Sequence, residues 1–444
     1  MIPGDTIRGR YRGTYRLPAA ASQSVSLSYY IVLPSDSVID RLLIENAASE
    51  SSAVRLRRLS QAGSSVKVIG PFPIRILDST IPNMVEFKDS LTNVRTGPQK
   101  SFLSLHQPAG IRAEMWGRWG RWLKLQLSDN HFGWVPDTAV MFMPSGTALP
   151  HSYVKFIQTI ADTGKTTVTV SVGARLPFRI DEDPAAKSLT LYLYGADSET
   201  DWIRYDTRDS LIDQIVWSQP ESGLYSLKIF LTGWPVWGYD AYYVGTALHL
   251  DIIRPPHCHV GLTGLRIVVD PGHSPDAGAV GPTGLTEKEA NLSIARQLKK
   301  MLEWDGAKVI LTRSDNSALP LYDRPKIAIA ERADLFISIH NNALPDGVNP
   351  FVSNGVSTYY YHPHAEPLAR ELQRSLAGSL GLGDFGLYYA NLAVDRPTQY
   401  PAILVECSFM MIPEQEAQLK TERFQKRVAR AIVDGLKAYL SKIR

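Results

Sequence analysis

The chain has 444 residues, of which 44% are hydrophobic and 20% charged, proportions typical of a globular protein with several domains. Its 47 basic and 44 acidic residues nearly cancel, which argues against an extended nucleic-acid interface. The net charge of +3 still permits contact with a polyanionic surface such as a cell wall. No apolar run approaches the roughly 18 to 20 residues that a membrane span needs.

The N-terminus and the cysteines bear on the cellular compartment. Residues 1–5 lack the charged and apolar regions of a signal peptide. On the functional grounds given below, we nevertheless expect a periplasmic or extracellular protein whose targeting segment is absent from this sequence. The two cysteines, Cys258 and Cys407, could form a disulfide, but two separate thiols are the favoured interpretation. His257, Cys258 and His259 resemble a metal clip, yet neighbours in an extended segment point to opposite faces, which disfavours a ligand role.

The first 260 residues are predicted to be mostly β-structure. Apolar residues recur there at every second position, as in 168–172, 189–193, 227–231 and 248–252, and turn-forming clusters separate these runs. We divide this part into a β-rich region of unknown role, a small barrel and a sandwich, with bounds 1–83, 84–148 and 149–260.

Residues 84–148 resemble a bacterial SH3 domain. The resemblance rests on Asn-Val-Arg-Thr-Gly-Pro at 93–98, Trp-Leu-Lys-Leu at 122–125 and Gly-Trp-Val-Pro at 133–136. Residues 149–260 resemble, in strand pattern alone, the AMIN β-sandwich found upstream of cell-wall amidases. These β domains would bind wall or protein ligands. Four tryptophans, at 116, 119, 122 and 134, could form a binding platform, but we expect two in the barrel core and two on the surface.

After residue 260 the pattern changes to alternating strands and helices. Short apolar strands are predicted at 266–270, 308–312, 335–340, 357–361 and 402–406, and helical spacing occurs at 287–304, 366–380 and 424–443. This order predicts, for residues 261–444, an α/β domain with a largely parallel, twisted sheet. Ligands of such sheets bind beyond the carboxyl ends of the strands. His273, His340 and Glu406 all fall at such ends.

Two histidines and a glutamate form a complete set of protein ligands for a catalytic zinc ion. His273 and His340 would supply nitrogens, and Glu287, at the start of a helical stretch, a carboxylate. Each residue alone is a weak signal, because a histidine at a strand end is more often structural and Glu287 could simply favour its helix N-terminus. Glu406 follows four apolar strand residues, where a carboxylate needs a partner or a task.

The order of motifs in residues 264–444 resembles that of zinc-dependent N-acetylmuramoyl-L-alanine amidases of the Amidase_3 type. The motifs are Asp-Pro-Gly-His at 270–273, Glu-Lys at 287–288, Asn-Leu at 291–292, Thr-Arg at 312–313, Arg324, Ala-Asp-Leu-Phe-Ile-Ser-Ile-His at 333–340 and Pro-Ala-Ile-Leu-Val-Glu at 401–406. The resemblance implies that His273, Glu287 and His340 bind Zn²⁺ and that Glu406 is the catalytic acid/base. The implied substrate is peptidoglycan, cut between N-acetylmuramic acid and the L-alanine of its stem peptide.

Two stretches depart from relatives in this family. Residues 343–356, rich in Pro, Gly and Asn, are too short for the occluding helix of some cell-division amidases, so we expect an open site restrained, if at all, by the β domains. The run 407–413 after Glu406 places its Phe one position late, which puts substrate contacts from this loop in doubt. Asn341, Asn342 and Arg396 are candidate substrate contacts, although packing or capping roles fit them equally well.

Two other functions compete with the amidase interpretation. A zinc carboxypeptidase that trims stem peptides would use the same metal and acid. A non-enzymatic wall-binding module would be expected to lack a ligand or the acid, and neither is missing from the sequence.

Overall fold

The computed structural model of the protein describes residues 27–34, 66–74, 84–89, 92–100, 102–128, 130–256, 261–345 and 347–443. The predicted region 1–83 is therefore represented by two strands, which pair antiparallel: β1 (Leu27–Pro34) and β2 (Val66–Ile74). Cys258 and its two histidine neighbours lie outside the described residues. Cys407 is a free, buried thiol.

Residues 84–142 form a seven-stranded antiparallel sheet in the order β5-β4-β8-β7-β6-β3-β9. The strands are β3 (Met84–Phe87), β4 (Thr92–Arg95), β5 (Phe102–Gln107), β6 (Arg112–Trp119), β7 (Trp122–Ser128), β8 (His131–Pro136) and β9 (Val140–Phe142). Its buried side chains are mainly aliphatic, for example Val94, Leu123 and Val135. The expectation that two tryptophans lie in this core is wrong.

The tryptophans of this sheet remain in contact with solvent. Trp116 and Trp119 are exposed, and Trp122 and Trp134 are only partly buried. The guanidinium of Arg95 lies 5.3 Å from the Trp122 ring centroid and covers one face of that ring. Small aliphatic side chains fill the interior because a sheet of this size encloses too little volume for several indoles.

Residues 152–253 form two further sheets. One has five strands in the order β14-β10-β11-β18-β17, and the other has four in the order β12-β13-β16-β15. The strands are β10 (Ser152–Ala161), β11 (Lys165–Val170), β12 (Phe178–Asp183), β13 (Ser188–Tyr194), β14 (Ala196–Arg204), β15 (Ile212–Glu221), β16 (Leu224–Leu231), β17 (Gly238–Val244) and β18 (Ala247–Ile253). Alternate apolar residues of both sheets belong to one buried cluster, which continues into the seven-stranded sheet.

Residues 266–443 form an α/β domain around a six-stranded sheet in the order β20-β19-β21-β24-β22-β23. The strands are β19 (Arg266–Pro271), β20 (Lys308–Leu311), β21 (Leu335–Asn342), β22 (Val356–Tyr360), β23 (Asp384–Tyr389) and β24 (Ala402–Phe409). The helices are α1 (Glu287–Trp304), α2 (Arg324–Ala330), α3 (Glu366–Leu380), α4 (Pro413–Leu419) and α5 (Glu422–Lys442). Four neighbouring strand pairs are parallel, and β22 runs antiparallel to β24.

Both faces of this sheet are buried. Ile267, Ile337 and Ile403 point to one face, in a cluster that includes residues of α1, α3 and α5. Their strand neighbours Val268 and Phe336 point to the other face, in a smaller cluster that includes Ala328 of α2. Burial on both faces explains why these strands are continuous apolar runs in the sequence.

The predicted boundary at residue 260 does not separate two independent cores. Trp237, which precedes β17, is 1% exposed and belongs to the same buried cluster as α1, α3 and α5. Its ring stacks on Tyr439 of α5 with centroids 5.9 Å apart, and its Nε1 donates to the Asp334 carbonyl at 2.7 Å. The upstream β-structure therefore supplies a core residue of the α/β domain.

Across the described residues, no helix is long and apolar enough to span a membrane.

Candidate metal centre

Three parallel strands bring the predicted catalytic residues to one edge of the six-stranded sheet. His273 lies two residues beyond the end of β19, and His340 and Glu406 are register partners on the adjacent strands β21 and β24. Register partners on neighbouring strands project to the same side of a sheet. The carboxyl ends of parallel strands also lie at the same edge, so the order of elements alone brings these three side chains together.

Glu287 reaches the same edge from the first turn of α1. The helix begins after Thr286, whose backbone N–H donates to the Glu289 carboxylate at 3.2 Å in a capping box. A carboxylate at this position interacts favourably with the positive end of the helix dipole. The Glu287 side chain is only 6% exposed, so it is directed into the protein.

The Glu287 carboxylate lies between the two imidazoles. Its Oε2 is 2.9 Å from His273 Nε2, and its Oε1 is 2.9 Å from His340 Nδ1. One ligand atom from each residue can be chosen so that all three lie within 4.8 Å of one another. The imidazole centroids are 4.9 Å apart and the rings are inclined at 72°. Two nitrogens and a carboxylate oxygen thus converge on one point.

Backbone and amide donors hold Glu287 in this position. Ala279 N donates to Oε2 at 2.9 Å, Asn341 N donates to Oε1 at 3.1 Å, and Asn291 Nδ2 donates to Oε1 at 3.3 Å. Burial alone would raise the pKa of Glu287, but its contacts with the two imidazoles outweigh burial and hold that pKa well below its usual range. Glu287 is therefore ionised, the state that metal coordination requires.

His273 is oriented by a carboxylate that the motifs did not identify. Its Nδ1 is hydrogen-bonded to Asp276 Oδ1, which leaves Nε2 directed at Glu287. Burial lowers the pKa of His273, but the carboxylates of Glu287 and Asp276 outweigh it and raise that pKa. A histidine that bonds a carboxylate through its second nitrogen is the usual arrangement around protein-bound metals. The three-residue spacing from His273 is the sequence signal that could have identified Asp276.

Two buried arginines fix the turn that carries His273. Arg313 donates to the carbonyls of Pro271 and Gly272 at 2.8 and 2.9 Å. Arg324 donates to Asp270 Oδ1 at 2.8 Å and to the His273 carbonyl. His273 itself has φ of 64°, a left-handed conformation that is unfavourable for a residue with a side chain. The two arginines stabilise this conformation. Arg313 and Arg324, which are both part of the sequence motifs, therefore position the turn that carries His273.

Two glycines leave room for the ligand side chains. A Cβ atom on Gly272 would lie 2.2 Å from Cε1 and Nε2 of the His340 ring. A Cβ on Gly278 would lie 2.5 Å from Glu287 Oε2 and 2.7 Å from His273 Cδ2. Any side chain at either position would displace a ligand. The pattern Asp-Pro-Gly-His therefore requires its glycine for close packing of the two imidazoles.

Glu406 lies beside the cluster without belonging to it. Its side chain is partly buried, and its Oε2 has no hydrogen-bond partner among the described residues. Burial, and after it the charge of Glu287, raises the pKa of Glu406 well above its usual range. A partly buried carboxyl group with a free oxygen is suited to exchanging protons with a substrate.

The three candidate substrate contacts are in different places. Asn341 is 1% exposed, and its Nδ2 donates to Asn291 Oδ1 at 2.8 Å in the support of Glu287. Asn342 is partly exposed at the end of β21, next to the cluster. Arg396 lies elsewhere: its Nε donates to Asn391 Oδ1 at 2.7 Å, and its guanidinium lies 3.4 Å from the ring centroid of Phe102 on β5 of the seven-stranded sheet. Substrate contact by these residues stays a prediction.

Two loops follow the strands that carry His340 and Glu406. Between β21 and β22, the described residues 343–345 and 347–355 contain no helix. The run after Glu406, in contrast, is buried: Phe409 is 0% exposed and packs edge-on against Phe385 with centroids 5.2 Å apart. Phe409 is therefore part of the protein interior, consistent with the departure from the family pattern seen in the sequence.

The donor set fits a zinc ion, because two imidazole nitrogens and a carboxylate are the ligands of several zinc hydrolases. An α/β domain with this set at the carboxyl edge of its sheet has the donors that a metal-dependent hydrolase requires. Residues 267–438 match the N-acetylmuramoyl-L-alanine amidase family Amidase_3, and this part of the chain belongs to that family. The resemblance inferred from the motifs is thereby confirmed.

Similar proteins cover the same part of the chain. The N-acetylmuramoyl-L-alanine amidase LytC of Bacillus subtilis is 37% identical over 183 residues, which are 40% of this chain and 36% of LytC. The probable cell wall amidase LytH of Staphylococcus epidermidis is 38% identical over 183 residues, 40% of this chain and 60% of LytH. The chain thus spans less than two thirds of each of these curated relatives.

A solved structure also aligns with this part of the chain. The catalytic domain of CwlV, an N-acetylmuramoyl-L-alanine amidase from Bacillus (Paenibacillus) polymyxa var. colistinus, is 38% identical. The alignment covers 40% of this chain and 98% of the CwlV domain, with a TM-score of 0.38.

Proposed function

We propose that this protein is a zinc-dependent N-acetylmuramoyl-L-alanine amidase that cleaves peptidoglycan between N-acetylmuramic acid and the L-alanine of the stem peptide. The observation that carries the proposal is the convergence of His273, Glu287 and His340 beside Glu406, in a segment that belongs to the amidase family. His273, Glu287 and His340 are the proposed zinc ligands, and Glu406 is the proposed acid/base.

The ligands are held ready for the metal before it binds. Asp276 accepts the Nδ1 hydrogen of His273, so that Nε2 keeps its lone pair for coordination. Glu287 is already ionised, and Gly272 and Gly278 allow both rings to approach it. When bound, a zinc ion supplies Lewis acidity, which polarises an amide carbonyl and lowers the pKa of water.

Glu406 supplies the proton transfers of amide hydrolysis. In its ionised form, which the positive charge of a bound metal ion would favour, the Glu406 carboxylate accepts a proton from the attacking water and then donates that proton to the departing L-alanine nitrogen. The amine must be protonated as the C–N bond breaks, because an amide anion is a very poor leaving group. The free Oε2 and partial burial of Glu406 support this assignment, since no described protein donor competes for that oxygen.

The loop after β21 supports activity without an activating partner. The described part of the loop 343–355 forms no helix that could cover the site.

The upstream regions, 84–148 and 149–260, are proposed to be SH3-like and AMIN-like domains that bind wall polymer or protein partners. The exposed indoles of Trp116 and Trp119 support a binding role for the first of them. The proposed site of action is outside the cytoplasm, periplasmic or extracellular, where peptidoglycan lies.

Mass spectrometry of peptidoglycan digested by the full chain tests this function. We expect release of stem peptides that carry a new free amine on L-alanine, together with glycan strands that end in intact lactyl groups. Loss of a C-terminal residue from the stem peptide would instead identify a carboxypeptidase. An unchanged polymer, with zinc present, would reject both hydrolytic functions.

A further inference from the structure

A second group of two imidazoles and one carboxylate lies between the upstream sheets and the α/β domain. Glu182 belongs to β12, whereas His362 and His364 follow β22. Their ligand atoms lie within 4.8 Å of one another. The side chains of Glu182, His362 and His364 are 2%, 9% and 0% exposed. The group has the same composition as the first cluster but is more deeply buried.

Carbonyl oxygens orient both rings of this group. His362 Nε2 donates to the Arg396 carbonyl at 2.6 Å, and His364 Nε2 faces the Tyr400 carbonyl at 3.5 Å. Because a carbonyl oxygen only accepts, Nε2 of His362 carries the hydrogen, and the lone pair of its neutral ring lies on Nδ1. The same tautomer of His364 would direct its Nδ1 lone pair at Glu182. Both Nδ1 atoms face Glu182 Oε1, at 3.4 Å from His362 and 2.9 Å from His364.

With both rings in this tautomer, two nitrogen lone pairs and a carboxylate oxygen converge in a buried space, an arrangement that favours a cation among them. A proton on one imidazole or a metal ion would supply that charge. The anchoring of Nε2 to carbonyl oxygens is the arrangement typical of metal-binding histidines, because it directs the other nitrogen at the metal. Ligand atoms around a tetrahedral zinc ion lie about 3.3 Å apart, given bonds of about 2.0–2.1 Å. The observed separations of 2.9 and 3.4 Å are close to that value.

A cavity connects this group to its surroundings. Glu182 and His362 line a space of about 630 Å³ together with Tyr239 and Arg396. An ion could reach the ligands through it, and a water molecule could complete the coordination shell. Tyr239 is 4% exposed, lines the same cavity and has its ring centroid 5.9 Å from that of His364, so its hydroxyl is a second candidate for the fourth position.

We propose that Glu182, His362 and His364 bind a divalent transition-metal ion, foremost zinc, that joins the upstream β-structure to the α/β domain. Imidazole nitrogen and carboxylate oxygen suit zinc among the divalent metals. Because one ligand comes from β12 and two from the segment after β22, the ion cross-links parts of the chain about 180 residues apart in sequence. The site has a structural role and does not depend on the proposed amidase activity.

The zinc content of the full chain and of matched variants tests this site. After loading with zinc and removal of excess metal, Glu182→Gln should hold one equivalent less zinc than the unaltered chain. Glu199→Gln is the control, because Glu199 is an exposed carboxylate on β14 in the same β-rich region. An unchanged zinc content in a folded Glu182→Gln variant would overturn the proposal and leave a protonated imidazole as the cation.

A second variant keeps the test decisive if Glu182→Gln does not fold. His340→Ala removes a ligand of the first cluster and leaves Glu182, His362 and His364 intact. It should retain one equivalent of zinc, and X-ray absorption of that zinc should show two imidazole ligands. A folded His340→Ala chain without zinc would overturn the proposal. The outcomes are separable, because loss of one of two zinc equivalents in His340→Ala reports on the first site, whereas loss of one equivalent in Glu182→Gln reports on the second.

Discussion

Gly272 packs directly against the ring of His340: a Cβ atom at residue 272 would lie 2.2 Å from two of the ring atoms. The contact links the turn after β19 to the end of β21. Because of this contact, the proposed ligand His340 can keep its position only if residue 272, which precedes the proposed ligand His273, has no side chain.

Gly272→Ala should therefore displace His340 and weaken metal binding. We expect zinc affinity to fall at least about tenfold, since misplacing a ligand or its support costs about 10- to 100-fold. Zinc titration against a competing chelator measures the effect. Gly378→Ala is the control, because Gly378 lies inside α3 with no atom within 4 Å of an added Cβ. The control should be neutral or more stable by about 0.5–1 kcal/mol. Equal zinc affinity in both variants would contradict the packing argument.

Asp276→Asn tests the orientation of His273. The neutral amide is a weaker acceptor for the His273 Nδ1 hydrogen and can instead present its NH₂ group to the ring. We expect zinc affinity to decrease about 10- to 100-fold. Asp323→Asn is the control, because its carboxylate pairs with the exposed Lys326 on the surface. Should Asp276→Asn bind zinc as tightly as Asp323→Asn, the positioning role of Asp276 would be rejected.

Trp237→Ala tests the dependence of the α/β core on the upstream β-structure. Removing a fully buried indole that stacks on Tyr439 should lower the free energy of unfolding by about 3–5 kcal/mol. Trp304→Ala is the matched control, because Trp304 is 89% exposed at the end of α1. Its effect should stay within about 0.5 kcal/mol. Denaturant unfolding measures both, and similar values for the two variants would show that Trp237 is not a core residue.

Asp395→Asn tests a pH dependence of stability. Both carboxylate oxygens of Asp395 are buried without a hydrogen-bond partner in the described structure. Burial, reinforced by the charge of Asp270 and opposed by Arg396, raises the pKa of Asp395 well above its usual range. The folded state therefore binds a proton that the unfolded state releases above about pH 4.

The sign of the effect follows from that raised pKa. As pH rises from about 4 towards the pKa of Asp395 in the folded state, the protein loses up to about 1.4 kcal/mol of stability per pH unit through this residue. Asp395→Asn removes that loss, so its stability relative to the unaltered chain should increase between about pH 4 and pH 7. Denaturant unfolding across this range measures the difference, with the exposed Asp89→Asn as control. A constant difference would contradict a buried, protonated Asp395.

The helices of the α/β domain could be predicted from the sequence because their apolar spacing is regular. The structure confirms α1 and α3 at both predicted ends. Strand β23 and helices α2 and α4 were missed. β23 contains Gly386 with φ of 126° and lies at the edge of the sheet, so it lacks the apolar run of a central strand. The two helices, of 7 residues each, are too short to establish a helical period.

The residues of the candidate site could be predicted from the sequence where a motif coincides with the end of a predicted strand. His273, Glu287 and His340 come together as the order of elements requires. Asp276 was missed because its only sequence signal, a spacing of three residues from His273, is too common in loops to single out one aspartate. The cluster of Glu182, His362 and His364 was missed because its members come from two parts of the chain whose packing no local pattern encodes.

The central claim is that three residues hold zinc while Glu406 transfers protons. Its most direct test is the turnover of peptidoglycan by Glu406→Gln, measured together with zinc content. We expect zinc content equal to that of the unaltered chain and turnover reduced about 10²- to 10⁴-fold. Glu414→Gln, an exposed glutamate on α4, should keep full turnover. Substantial turnover by zinc-loaded Glu406→Gln would contradict the account.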